Sequence, residues 1–146
     1  MARHCETFEH TADVGLSAWG DDLGELLAAL AEGLIDVVCD RSAVRGRQTR
    51  PLTVEAQDRE ALAVDFLSQV LYAFDADGFL THRARVVAVA GGAAGEPARI
   101  SAELSGEPYD PGRHEIRTEV KAVTYHQLRI APDEAGRWVG RVILDL

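Results

Sequence analysis

Lysine is almost missing from this chain. Fourteen of its fifteen basic residues are arginines, and Lys121 is the single exception. Positive charge as a whole is also scarce: 24 acidic residues leave a formal net charge of −9 and a pI near 4.9. That balance argues against direct binding to a phosphate backbone, which needs clustered Lys and Arg. Cysteine is limited to Cys5 and Cys39, in no CxxC or zinc-ligand spacing, which fits a reducing cytoplasm better than a disulfide scaffold. No apolar run approaches the roughly 20 residues of a membrane span. The N-terminal Met1-Ala2-Arg3-His4-Cys5-Glu6 has no apolar signal core, so the expectation is a soluble cytoplasmic protein. Also absent are HExxH, a serine triad and a phosphate-loop lysine.

At 146 residues, with 47% hydrophobic and 27% charged residues, the chain suits one globular domain spanning residues 1–146. Leu23, Leu26, Leu27, Leu30, Ala31, Leu34 and Val38 recur at helical spacing behind Asp22 and Glu25, which are placed like a capping box. This predicts a helix ending near Asp40, with Cys39 as a buried, inert thiol. A second helix is predicted after Asp58, with stripes Leu62-Phe66-Val70-Phe74 and Ala63-Leu67-Leu71, stopped by Gly78. Strands are expected at residues 14–19, 52–56, 83–90, 99–104, 120–130 and 138–146. Gly91-Gly92-Ala93-Ala94-Gly95 and Pro132-Asp133-Glu134-Ala135-Gly136 read as hairpin loops, and residues 106–112 as an ordered surface loop. Helices first and strands later indicate an α+β fold, a compact sandwich of largely antiparallel sheet with two packed helices.

Several groups carry possible chemistry. In the setting of so much arginine, the one ammonium at Lys121 suggests a task for a compact point charge on a flexible stem. His10-Thr11-Ala12-Asp13-Val14-Gly15 brings a ring, a hydroxyl and a carboxylate just ahead of the first expected strand; a turn held by Asp13 or Thr11 explains it equally. The closing run Trp138–Leu146 ends on leucine, where a docked terminus would set the Asp145 carboxylate beside that of Leu146. Were Asp13 to join them, three hard oxygen donors would suit Ca²⁺ or Mg²⁺ better than zinc or copper. The alternative is that Leu146 fills the core and Asp145 points to solvent. Asp75-Ala76-Asp77-Gly78 lacks the distal glutamate of a calcium loop and reads as a helix end. His114 and His126 offer acid–base groups, and Thr11, Ser17 and Tyr125 offer hydroxyls, without a recognisable activating pattern.

Together His10-Thr11-Ala12-Asp13-Val14-Gly15, Gly106-Glu107-Pro108-Tyr109-Asp110-Pro111, the run from His114 to His126 and Val142-Ile143-Leu144-Asp145-Leu146 resemble the archease family, in order and over nearly the whole chain. The resemblance implies a compact α+β sandwich. It also implies an accessory protein rather than an enzyme, one that promotes guanylylation and turnover of RtcB-type RNA ligases in tRNA splicing and RNA repair. By the same resemblance Asp13 and Asp145 match the family's functional carboxylates and Lys121 its functional lysine. A divalent metal, calcium by expectation, would sit on Asp13, Asp145 and Leu146. RNA would be engaged only through the ligase. A calcium-binding chaperone-like module and a small stand-alone acid–base enzyme are the competing readings.

Overall fold

Two aspartates begin the two helices. The Asp22 carboxylate accepts the Glu25 amide at 2.8 Å and opens α1, Leu23–Val38. Asp58 does the same for the Ala61 amide at 2.8 Å and opens α2, Arg59–Asp77. Gly78, at φ 66°, closes α2 in the left-handed conformation that glycine adopts without a Cβ penalty. The computed structural model describes residues 2–10 and 13–146, and of Glu9 and His10 only the backbone.

Among the described residues seven strands complete the fold: β1 Arg3–His10, β2 Asp13–Gly20, β3 Gln48–Ala56, β4 Phe79–Gly91, β5 Ala98–Pro108, β6 Ala122–Pro132 and β7 Trp138–Asp145. They form two antiparallel sheets, one ordered β1-β2-β7-β6 and the other β3-β5-β4. The α1 helix touches β1, β2 and β7 of the first sheet and β4 of the second, while α2 touches β6 and all three strands of the second. The helices therefore fill the space between the sheets. This explains why α1 buries nearly every residue from Leu23 to Val38 rather than a single stripe. Leu26, Leu27, Leu30, Leu34, Leu62, Phe66 and Leu67 have no exposed surface. Each such side chain contributes roughly 1.5–3 kcal/mol through burial.

The α+β class, both helices, both hairpins and six of the strands follow the sequence reading. Three points depart from it. The chain does not run helices first: two strands precede α1 and one separates the helices. The strand β1 was not anticipated, because Arg3-His4-Cys5-Glu6 has no apolar alternation; as the sheet's edge, β1 is only half covered and needs little. Residues 106–108 belong to β5 rather than to a surface loop, with Glu107 only 3% exposed. Cys39 is buried, as expected, and burial followed by the charge of Asp36 raises its thiol.

Candidate functional site

Asp13 opens β2 and Asp145 closes β7, and the two are direct cross-strand partners. Asp145 is also paired with Ala122, the first residue of β6. Immediately before it, the Lys121 amide donates to the Asp145 carbonyl at 2.8 Å. Asp13, Asp145 and Lys121, far apart in sequence, thus meet at one corner of the four-stranded sheet. Residues directly opposed on antiparallel strands share a face, with Cα atoms about 4.5–5.5 Å apart. On β7 Val142 and Leu144 belong to the core cluster that includes both helices, whereas Ile143 between them, though buried, does not, so Asp13 and Asp145 belong to the face turned away from the helices. Asp145 and Lys121 are exposed and Asp13 is half-buried. Leu146 is half-buried and packs on the core.

The same outer face is braced along its length. The Phe8 ring covers Gly15, its cross-strand partner, so closely that a Cβ there would overlap the ring. The Arg141 guanidinium stacks on Phe8 at 4.2 Å and also donates to Gln127 Oε1 at 3.3 Å. Gln127 lies in the bulge of β6, where residues 125–128 oppose Val142 alone, and its φ of 52° is costly for a non-glycine residue. Arg141 therefore ties β1 to β6 across the two central strands. Gly15→Val is expected to expel Phe8 and unstack Arg141, lowering stability by about 1–3 kcal/mol. Urea denaturation of the variant would measure that loss.

A second cluster fixes the approach to Lys121. The Glu107 carboxylate accepts from the Arg45 amide at 2.8 Å, from Arg113 Nη2 at 2.6 Å and from His114 Nε2 at 2.9 Å. His114 Nδ1 in turn accepts the Asp110 amide at 2.9 Å, which places the ring proton on Nε2. His114 is thus a buried structural group. Burial by itself pushes Glu107 upward, but hydrogen bonds from Arg45 and His114 and the charge of Arg113 hold it below the ordinary glutamate range. Nothing in the sequence marks Glu107 for this anchoring role, because a Glu next to Pro in a loop-like stretch carries no sign of burial. Tyr125 and His126 are exposed on the β6 bulge, and Ser17 is exposed on the outer face. Thr11 lies outside the described residues, and so does the side chain of His10.

Among the described residues no three His, Cys, Asp or Glu side chains converge to hold a metal. The corner offers two adjacent carboxylates and the main-chain oxygens around them. Such an all-oxygen donor set suits a hard divalent cation rather than zinc.

The archease protein family matches this chain over residues 5–146. Protein archease of Thermococcus gammatolerans is 39% identical over 146 residues, covering 99% of each chain. Protein archease of Pyrococcus abyssi is 36% identical over 141 residues, covering 97% of each. The solution structure of protein 1598 from Methanobacterium thermoautotrophicum superposes with a TM-score of 0.79 at 34% identity, over 97% of this chain and 98% of that one. With residues 5–146 matched and this identity sustained end to end, the chain belongs to the archease family.

Proposed function

We propose that this protein is an activator of an RtcB-type RNA ligase, promoting guanylylation and multiple turnover of the ligase in tRNA splicing or RNA repair. The observation that carries the reading is the meeting of Asp13, Asp145 and Lys121 at one exposed sheet corner, in a chain of the archease family. The role is that of a cytoplasmic accessory protein, with the chemistry performed by the ligase.

In this mechanism Asp13 and Asp145, with the main-chain oxygens of Leu146, hold a divalent cation, calcium by preference. When bound, that ion supplies fixed positive charge for stabilising phosphate oxygens. Asp145 presents its carboxylate from the end of a central strand, so its position is set by pairing on both sides. Lys121, held to the same strand end through its amide, projects an ammonium from an exposed position toward a phosphate or a carboxylate. The surrounding −9 charge speeds encounter with a basic, RNA-binding ligase surface.

The test is multiple-turnover RNA ligation and guanylylation by an RtcB-type ligase from the same source, with and without the protein. Stimulation of both is the expected result. Ligation that proceeds at the same rate with the intact protein present would overturn the proposal.

A further inference from the structure

On the outer face of the four-stranded sheet, Arg129 of β6 and Arg141 of β7 stand directly opposite each other. Cross-strand partners have Cα atoms about 4.5–5.5 Å apart, and like charges in that relation weaken the pairing. No carboxylate offsets them. Among the described residues neither arginine is ion-paired, whereas Arg50, Arg99, Arg113 and Arg137 each hold a carboxylate. Acidic residues are not in short supply, since the chain has 24 of them. The cross-strand row Glu6–Ser17–Arg141–Arg129 contains one, Glu6, about 10 Å from Arg141 across two strand spacings. Its carboxylate is engaged with His4 Nε2 at 3.0 Å. Asp145 lies four residues further along β7, about 14 Å from Arg141.

Arg141 is oriented without being neutralised. Its guanidinium lies over the Phe8 ring at 4.2 Å, and Nη2 donates to Gln127 Oε1 at 3.3 Å. Neither partner carries a negative charge, so the cation is held in place with its charge intact. Arg129 is exposed, and among the described residues its side chain has no hydrogen-bond, ion-pair or ring partner. Ser17, opposed to Arg141 on its other side, is also exposed and adds a hydroxyl to the same row. Two guanidiniums and a hydroxyl thus share one patch of a sheet face, in a chain whose net charge is −9.

We infer that Arg129 and Arg141 bind one small phosphate group between them, free or carried by a mononucleotide, with the Ser17 hydroxyl as a further donor. Two guanidinium forks present more donors than one carboxylate accepts, whereas a phosphate dianion has oxygens for both and offsets both charges. A long RNA is disfavoured, because the net charge of −9 repels every phosphate of the strand while the pair engages only one. A bound phosphate turns a repelling cross-strand pair into a bridged one, so ligand binding and strand pairing reinforce each other. Phosphate binding here stands apart from ligase activation and is measured without the ligase.

The experiment is a titration of ¹⁵N-labelled full-length protein with inorganic phosphate, acetate and a uridine hexanucleotide, all at one ionic strength. Saturable shifts at the Ser17, Arg129 and Arg141 amides are expected with phosphate, with at least tenfold weaker binding of acetate and of the hexanucleotide. Arg129→Gln removes an exposed, unpartnered side chain and leaves the Phe8–Arg141–Gln127 brace intact. It should weaken phosphate binding at least tenfold. In phosphate-free buffer of low ionic strength it should also raise the urea midpoint above that of wild type, and added phosphate should close the gap by stabilising wild type alone. Absence of saturable shifts in the wild-type protein would overturn the inference, as would an equal response of Arg129→Gln to phosphate. Shifts confined to Ala122 and Asp145 would place the anion at Lys121 and overturn it equally. Tighter binding of the hexanucleotide than of phosphate would replace the small phosphate by an RNA backbone.

Discussion

Glu107→Ala is expected to lower stability by about 3–5 kcal/mol, the cost of removing one partner from a buried ionic cluster. For a chain of this size the melting temperature should fall by roughly 10 °C. The loss has three parts: the Arg45 amide, the Arg113 guanidinium and His114 Nε2 all surrender their acceptor in a site that is 3% exposed. Their separate effects should not add, because the three donors share one carboxylate. Glu107 also has a pH signature. Its carboxyl titrates lower in the folded protein than in the unfolded chain, so its contribution is complete above the unfolded pKa, near 4.3. It is lost as pH falls through the still lower folded value. Glu107→Gln keeps the shape without that proton linkage. Urea midpoints between pH 6 and 3 should therefore fall less steeply for Glu107→Gln than for wild type; parallel curves would remove Glu107 from the account of acid sensitivity.

That cluster matters for the candidate site because it fastens the strap leading to it. Residues 109–121 cross from β5 in one sheet to β6 in the other. On the way, Arg113 Nη2 also donates to the Ala43 carbonyl at 3.1 Å and the Arg117 amide to the Val38 carbonyl at 2.8 Å. The strap ends on Lys121. A loosened Glu107 cluster should accordingly weaken ligase stimulation in a variant whose three corner residues are all intact.

The second large effect concerns the corner itself. Asp145→Ala and Lys121→Ala are expected to cut ligase stimulation at least tenfold, with stability changed by less than about 0.5 kcal/mol because both side chains are exposed. Asp13→Ala should match them in activity and cost somewhat more stability, since Asp13 is half-buried. Lys121→Arg is the sharpest of the set. It retains the charge but replaces a compact ammonium with a broad planar fork, and fourteen arginines show that this chain accepts that group freely elsewhere. A loss comparable to that of Lys121→Ala is expected. Full stimulation by Lys121→Arg would mean that charge alone suffices. Full stimulation by all three alanine variants would sink the site assignment.

The sequence made some of this legible and hid the rest for identifiable reasons. Asp22, Asp58 and Gly78 are local signals whose chemistry acts within one helical turn: the two aspartates begin the helices and Gly78 ends the second. The leucine spacing of α1 was equally plain, though not that both of its sides would be covered. By contrast β1 draws its stability from pairing with β2 and carries almost no apolar pattern of its own. The bulge at residues 125–128 was invisible because its left-handed residue is Gln127, not a glycine. Asp13 and Asp145 each stood out as a carboxylate at a strand end. That they are cross-strand partners is a fact of register between distant segments, and no local pattern in either segment encodes it. The Glu107 cluster was hidden for a related reason: its donors come from Arg45, Arg113 and His114, and only the fold draws them around one carboxylate.

The order β1-β2-β7-β6 has a consequence for how the molecule is made. A central strand near the beginning of the chain must wait for another more than a hundred residues later before either is paired on both sides. Contacts that span such long stretches close slowly, because the loop entropy is lost before the pairing energy is gained. Hairpins β4–β5 and β6–β7 can form early and locally, whereas the β2–β7 seam joins segments more than a hundred residues apart. The Asp13–Asp145 pair sits at the tip of that seam. Its carboxylates are therefore brought together only when that seam closes, so a partly folded chain carries the residues of the candidate site without its geometry.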